Sequence, residues 1–294
     1  MGASLTNHRY PFDLSVVLPV YNEKDNVLPV HDELAAVLAG MDLRYEIIYV
    51  DDGSRDGSTD AIRALADARP DTGRAVLLRR NFGQTAAIQA GIDHANGAII
   101  ALMDADLQND PHDIPLMLQQ METEGYDLVS GWRKNRQDRA LSRKLPSRIA
   151  NRLISVVTGV ELHDYGCTLK TYRREVLDHV RLYGEMHRFI PVLANAAGAR
   201  IVERVVNHRP RIHGKSKNGL WRTIKVGYSP ENFISSPLRL VTSMLPPPTD
   251  SPTSSVFAPP APSSSIFAVF GWSAGSSDNS TVTSTSASLA SSMA

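Results

Sequence analysis

The chain has 294 residues, which allows one large domain or two small ones. Its 31 basic residues balance its 31 acidic ones, so the net charge favours no class of charged partner. The single cysteine, Cys167, excludes an intrachain disulfide, and the sequence has no run of about 18 apolar residues, so we expect no membrane-spanning helix in this chain.

Polar groups follow the first two predicted strands at the points where they end. Strand 15–20 runs into Glu23 and then into an amphipathic helix near residues 26–39. Strand 45–51, rich in β-branched and aromatic residues, runs into Asp52 and a glycine-containing turn. This acidic turn is similar to a calcium loop of the EF-hand type. We reject that interpretation because an arginine stands where such a loop needs its final glutamate.

Asp104 and Asp106 are the most informative residues, since they directly follow the uncharged apolar run 98–103. Such a run predicts a buried parallel strand, and open α/β folds bind ligands at the carboxyl edge of the sheet. Hard carboxylate oxygens at that edge suit Mg²⁺ or Mn²⁺ bridging to phosphates. Two solvated loop aspartates are the alternative for an isolated Asp-x-Asp sequence. The polar ends of the earlier strands favour the ligand site.

Alternating strands and helices predict an α/β fold, with a mostly parallel central sheet and helices on both faces. The predicted strands are 15–20, 45–51, 75–79, 98–103 and 127–131, with a further edge strand at 200–208. The predicted helices are 26–39, 58–68, 84–95, 112–124, 142–157 and 187–198. Three common sites are excluded: no Gly-x-Gly-x-x-Gly follows a strand, the P-loop pattern fails at Arg209, and no Gly-x-Ser-x-Gly occurs.

Two stretches have unusual composition. Residues 132–152 carry eight basic side chains against one acidic one, which favours a phosphate-binding, membrane-facing surface over a solvated helix face. Nucleic acid is disfavoured as a partner, because no recognised nucleic-acid module accompanies this patch. Residues 244–294 are rich in Ser, Thr, Pro and Ala and poor in large apolar residues, so we expect them to be disordered.

Eight ordered motifs along residues 14–225 resemble glycosyltransferase family 2, in the branch of dolichol-phosphate mannose synthases and undecaprenyl-phosphate glycosyltransferases. They are 17–23 (VLPVYNE), 50–54 (VDDGS), 80–84 (RNFGQ), 104–111 (DADLQNDP), 130–133 (SGWR), 164–167 (DYGC), 187–191 (HRFIP) and 214–217 (GKSK). The resemblance implies a GT-A type nucleotide-diphospho-sugar transferase fold and Mg²⁺ or Mn²⁺ as cofactor. It also implies an inverting transfer of sugar from a UDP- or GDP-sugar to a polyprenyl phosphate, peripherally on the cytoplasmic side of a membrane.

The resemblance also implies roles for individual residues. The nucleotide-sugar-binding positions are Pro19, Tyr21, Glu23, Asp52, Gln84, Asp104, Arg211 and Lys217. The metal-binding positions are Asp104, Asp106 and Gln108. The acceptor-phosphate-binding positions are Arg133, Arg143 and Ser147, and the catalytic positions are Asp106, Arg133 and Asp164. A phosphate monoester is already largely dianionic at neutral pH, so its attack needs orientation by an arginine fork more than a strong base.

The predicted organisation is an N-terminal extension at 1–13, a catalytic domain at 14–227 and a low-complexity tail at 228–294. The abrupt change to low complexity suggests a reading-frame change, which sequencing the gene would test. An alternative function is therefore a catalytically impaired, truncated relative that binds nucleotide sugar without glycosylating a lipid. A nucleotidyltransferase has a similar sheet, but it needs a glycine-rich loop that is missing near strand 15–20. These patterns leave the oligomeric state open.

Overall fold

A seven-stranded sheet organises the part of the chain that the computed structural model describes, which is residues 9–134, 159–178, 180–184 and 186–212. The strands are β1 (Phe12–Val20), β2 (Tyr45–Asp51), β3 (Gly73–Leu77), β4 (Gly97–Leu102), β5 (Leu128–Trp132), β6 (Lys170–Arg173) and β7 (Ile201–Val205). Their order is β3-β2-β1-β4-β6-β5-β7, and β6 is antiparallel to both of its neighbours. The mostly parallel sheet that the sequence predicts is confirmed.

Helices cover both faces of this sheet. The four longer helices are α1 (Lys24–Ala39), α2 (Ser58–Ala68), α3 (Gln84–His94) and α4 (Asp113–Glu124). Two short helices, Arg174–Leu177 and Ile190–Ala196, and a 3-10 turn, Met186–Phe189, follow. Leu18 of β1 joins the core cluster with α1, whereas Val17 points to the opposite face. There α3 approaches so closely that a Cβ at Gly91 would lie 2.2 Å from Cγ1 of Val17.

The carboxyl ends of the central strands meet at one edge of the sheet. Parallel pairing places Val20 of β1 opposite Asp51 of β2, and the amide of Asp52 donates to the carbonyl of Val20 at 2.8 Å. The amide of Met103, which follows β4, donates to Val17 of β1 at 3.1 Å. The polar residues after β1, β2 and β4 are therefore brought to a common edge, as the sequence predicts.

Strand β6 is the main element that the sequence analysis missed. Its four residues, Lys170–Arg173, are too short and too polar to show an alternating apolar pattern, yet the first three are buried. The helix predicted at 187–198 is shorter in the structure, because the chain forms the 3-10 turn first and the α-helix begins at Ile190, with Pro191 in its first turn. Among the described residues, no helix has the length and apolar character needed to cross a membrane.

Candidate functional site

The two carboxylates after β4 sit on a strained turn. Leu107, between Asp106 and Gln108, has a φ of 62°, in the left-handed region that a leucine seldom adopts. Its side chain is buried in the core, and the amide of Gln108 donates to Oδ1 of Asp106 at 3.1 Å. Backbone strain of this kind persists only where the surroundings enforce it and is concentrated at functional sites. The turn therefore fixes the direction of Asp106.

Asp104 is held by hydrogen bonds on both of its carboxylate oxygens. Gln84, at the start of α3, donates from Nε2 to Oδ1 at 2.9 Å. Thr168, just before β6, donates from Oγ1 to Oδ2 at 2.7 Å. The backbone amide of Asp104 donates to Asn109 Oδ1 at 3.3 Å. Gln84 therefore helps to orient the carboxylate of Asp104, whose remaining lone pairs point in fixed directions.

The electrostatics of this pair fit a divalent cation. Burial raises the pKa of Asp104, and burial together with the Asp104 carboxylate raises the pKa of Asp106 to about 6. Burial therefore disfavours the ionised form of both carboxylates, and the nearby cations do not fully offset it. Hard oxygen donors in this state suit Mg²⁺ or Mn²⁺, with the side-chain oxygen of Gln108 as a further neutral ligand. Of these predicted metal-binding residues, Asp106 and Gln108 share a contact with Arg211, and the charge of Asp104 acts on Asp106.

Arg211 contacts the same set of predicted ligands. Its Nη2 donates to Oδ2 of Asp106 and, at 3.2 Å, to the side-chain oxygen of Gln108. Its Nη1 lies 3.5 Å from Oε1 of Glu23. This guanidinium therefore partly neutralises Asp106 and contacts two of the predicted metal-binding residues as well as Glu23, which follows β1.

A second acidic cluster lies on the outer side of the turn. Side chains of Glu33, Asp110 and His112 come close enough to hold an ion. Arg209, however, already bridges the two carboxylates, with Nη1 2.7 Å from Glu33 and Nη2 2.7 Å from Asp110. We interpret this cluster as an ion-pair network. Its role is to anchor the segment before Arg211, since the amide of Arg209 also donates to the carbonyl of Gln108 at 2.9 Å.

A cleft of about 490 Å³ opens at the carboxyl ends of β2 and β3. It is lined by Tyr21, Asp51, Gly53, Ser54, Arg55, Thr59, Arg63, Leu77, Leu78, Arg79, Arg80 and Asn81. Asp52 holds the loop beside the cleft, because its carboxylate accepts hydrogen bonds from the amides of Phe82 at 2.7 Å and of Gly83 at 2.9 Å. Of the predicted nucleotide residues, Tyr21 lines this space and Asp52 holds the loop that borders it.

Arg133 and Asp164 form a largely buried, two-point ion pair. Nε of Arg133 donates to Oδ2 of Asp164 at 2.7 Å, and Nη2 donates to Oδ1 at 3.0 Å. Burial opposes the charged form of Arg133, but the hydrogen bonds to Asp164, together with the negative charges of Asp164 and Asp104, raise the pKa of the guanidinium. This charge also acts on Asp104, so the two predicted catalytic positions are electrostatically linked to the carboxylate pair.

The structure leaves some predicted residues undefined and adds others. Arg143, Ser147, Lys217, helix 142–157 and the tail from residue 228 lie outside the described residues. Pro19 lies in β1, opposite Val50. The sequence analysis missed Thr168 and Arg209 as contributors. Thr168 directly follows the 164–167 motif, so motif extension by one residue could have found it.

The sequence matches the model of one protein family and the sequences of curated relatives. The model of the family described as glycosyl transferase family 2 matches residues 15–181. The dodecaprenyl-phosphate galacturonate synthase of Rhizobium johnstonii is 50% identical over 216 residues, covering 73% of this chain and 64% of that protein. The undecaprenyl-phosphate 4-deoxy-4-formamido-L-arabinose transferase of Aeromonas hydrophila is 41% identical over 230 residues, covering 78% of this chain and 70% of that protein. The match thus spans less than two thirds of the length of the first relative.

Solved structures share the fold. Glucosyl-3-phosphoglycerate synthase from Mycobacterium tuberculosis, in complex with Mn²⁺ and UDP-glucose, aligns with a TM-score of 0.51 at 23% identity, covering 68% of this chain and 72% of that one. The mannosyltransferase PcManGT from Pyrobaculum calidifontis, in complex with GDP-Man and Mn²⁺, aligns with a TM-score of 0.50 at 19% identity, covering 70% and 59%. At these identities the likeness establishes the fold alone, and it confirms the predicted GT-A architecture.

Proposed function

The chain belongs to glycosyl transferase family 2, and we propose that it transfers a sugar from a nucleotide diphosphate to a polyprenyl phosphate at a membrane surface. The observation that carries this proposal is that contacts connect the Asp104 and Asp106 pair with Arg211 and with the segment that holds Arg133. The Asp104 and Asp106 pair contacts Arg211 on one side and, through Thr168, the segment that holds Arg133 on the other. The names of the two curated relatives support the same class of acceptor.

The donor diphosphate is assigned to the carboxylate pair. Asp104, Asp106 and Gln108 would hold Mg²⁺ or Mn²⁺, which when bound would neutralise the charge that develops on the leaving diphosphate. Arg211 reaches Asp106 and Gln108 already, so its guanidinium can contact a phosphate at the same place. The adjoining cleft, with Tyr21 on its wall, then receives the nucleoside. The predicted role of Lys217 on the diphosphate remains part of this proposal.

Arg133 is assigned to the acceptor phosphate. Asp164 engages Nε and Nη2 of its guanidinium, so the Nη1 edge is the part that we assign to the phosphate. A planar guanidinium held in this way presents its donors in one direction and loses little entropy on binding. Arg143 and Ser147 are the further residues proposed for this phosphate.

The transfer itself is a single displacement. A phosphate oxygen of the acceptor attacks the anomeric carbon of the sugar and forms the new bond. The bond from that carbon to the diphosphate oxygen breaks, and the nucleoside diphosphate leaves with its electron pair. No proton has to be removed from the attacking dianion, and the anomeric configuration is inverted. The protein's task is to align two highly charged groups.

A radiolabel transfer assay tests this proposal. Purified protein with Mn²⁺ is incubated with undecaprenyl phosphate in detergent and with each of UDP-galacturonate, UDP-4-deoxy-4-formamido-arabinose, UDP-glucose and GDP-mannose. We expect label to enter the lipid phase from one donor and to be lost in Asp106→Asn. Asp67→Asn, a matched change at an exposed position of α2, should transfer normally. Donor binding without transfer would instead support the catalytically impaired alternative.

A further inference from the structure

One short segment contacts both halves of the proposed site. Residues 164–168 supply Asp164, which holds the guanidinium of Arg133, and Thr168, which donates to Oδ2 of Asp104 at 2.7 Å. The carboxylate assigned to the donor and the arginine assigned to the acceptor therefore share a support five residues long. A shift of this segment moves the partners of both groups at once.

A buried lysine, Lys170, donates hydrogen bonds to the backbone of this segment. Lys170 donates from Nζ to the carbonyl of Tyr165 at 3.3 Å and to the carbonyl of Cys167. Its side chain is buried, so the ammonium group has lost most of its water. Removing this side chain would take a hydrogen-bond donor from both carbonyls of the segment, which costs free energy where the groups are buried.

The same lysine is fixed to the sheet on both sides. Strand β6 lies between β4 and β5, and Lys170 pairs with Leu102 of β4 and with Ser130 of β5. Leu102 is two residues before Asp104, and Ser130 is three residues before Arg133. The segment therefore connects the ends of the two strands that carry these residues.

We propose that residues 164–168 form a brace that sets Asp104 and Arg133 relative to each other, with Thr168 and Lys170 as positioning residues. Thr168 orients the carboxylate of Asp104, and Lys170 fixes the brace to β6. This inference rests on the proposed function. It goes beyond that function because neither residue contacts a reacting group in it.

Mn²⁺ binding by the full chain, followed by the electron paramagnetic resonance signal of free Mn²⁺, tests the role of Thr168 without turnover. Thr168→Val keeps the shape and removes the donor, and we expect the dissociation constant to rise by about tenfold or more. Thr168→Ser restores the hydroxyl and should bind within about twofold of wild type, on the same scale. Thr123→Val is the matched control, since its hydroxyl donates to a helix carbonyl at an exposed position of α4.

Lys170→Met tests the shared support, provided that its melting curve shows a folded protein. We expect it to raise both the Mn²⁺ dissociation constant and the KM for undecaprenyl phosphate, whereas Thr168→Val raises mainly the first. Unchanged Mn²⁺ affinity in Thr168→Val, with wild type binding Mn²⁺, would overturn the brace alone. A wild-type protein that binds no Mn²⁺ would overturn the brace and the metal-dependent function together.

Discussion

The structure fixes its functional residues differently in two regions. In the nucleotide half, which is β1–β4 with the loops after them, the two aspartates at the end of β2 accept hydrogen bonds from neutral donors. Asp52 accepts two backbone amides, and Asp51 accepts the amide of Ser54 and the hydroxyl of Thr59. In the acceptor half, which is β5–β7 with described residues 159–173 and 201–212, arginines are paired with carboxylates, either within this half or in the loop after β4.

This difference indicates which contacts a ligand can replace. A carboxylate that accepts hydrogen bonds from backbone amides makes fixed contacts, because a ligand cannot displace those donors without moving the main chain. An arginine that is paired with a carboxylate can bind a phosphate in place of that carboxylate. The carboxylate can then bind a metal ion in place of the arginine. Ligand-dependent rearrangement is therefore expected at Arg211 and Asp106, while the rim of the cleft stays as it is.

The largest effect is expected where the two halves meet, at Asp106. Asp106→Asn removes a charged ligand of the proposed metal site, and we expect kcat/KM for transfer to fall by at least about 100-fold. Steady-state transfer in Mn²⁺ measures this, with Asp67→Asn as the control. A variant that keeps more than a tenth of wild-type activity would contradict the assignment.

Arg133→Lys tests the acceptor half. Lysine keeps the charge but cannot make the two-point pair with Asp164 or present a fork to phosphate, so kcat/KM for the acceptor should fall by about 10–100-fold. The donor KM should change much less. Arg181→Lys, at an exposed surface pair with Asp93, is the matched control. Equal losses toward donor and acceptor would count against a role specific to the acceptor.

Asp52→Asn tests the nucleotide half. An asparagine places its NH₂ against one of the two amides that Asp52 now accepts, which should cost about 1–3 kcal/mol of folding free energy. We expect a lower midpoint in urea unfolding and weaker nucleotide binding together. Weaker binding at unchanged stability would show direct contact with the nucleotide instead.

Arg211→Gln is expected to act in opposite directions on two measurements. Without the guanidinium, Asp106 and Gln108 lose a competing cation, so Mn²⁺ alone should bind about three- to tenfold more tightly. Transfer should slow, because the diphosphate loses a charged donor. Titration of Mn²⁺ and a transfer assay on the same preparation check both. Arg211 acting only on the diphosphate would leave Mn²⁺ affinity unchanged.

The smallest effect concerns the pH dependence of stability in the metal-free protein. The pKa of Asp106 is about 6, above its ordinary value of 3.8, so its ionised form destabilises the native state above pH 6. That penalty is lost as the pH falls toward 4. With chelator present, Asp106→Asn should melt several degrees higher than wild type at pH 7.5, and the difference should vanish near pH 4. A difference independent of pH would contradict this origin.

The strands of the nucleotide half could be predicted from the sequence because the apolar runs that form them are patterns local in the chain. The predicted strand 45–51 has the same bounds as β2. The predicted strand 98–103 begins and ends one residue later than β4. Burial on both faces leaves a continuous apolar run, which is a strong signal. The residue roles there came from ordered motifs, which periodicity alone does not supply.

The acceptor half could not be predicted to the same extent. Its contacts join residues 31, 64 and 105 positions apart, as in Arg133 with Asp164, Thr168 with Asp104, and Arg211 with Asp106. Strand β6 is short and polar, and its pairing depends on two neighbours that are themselves distant in sequence. Neither propensity nor period encodes such contacts, since they arise only from tertiary packing.

A crystal structure of the full chain with Mn²⁺ and UDP, with anomalous data collected at the manganese edge, tests the central claim most directly. We expect the anomalous peak between Asp104 and Asp106, on the diphosphate, with the uridine in the cleft beside Tyr21. A peak at Glu33, Asp110 and His112, or a nucleotide bound away from the carboxyl ends of β2 and β4, would contradict the account.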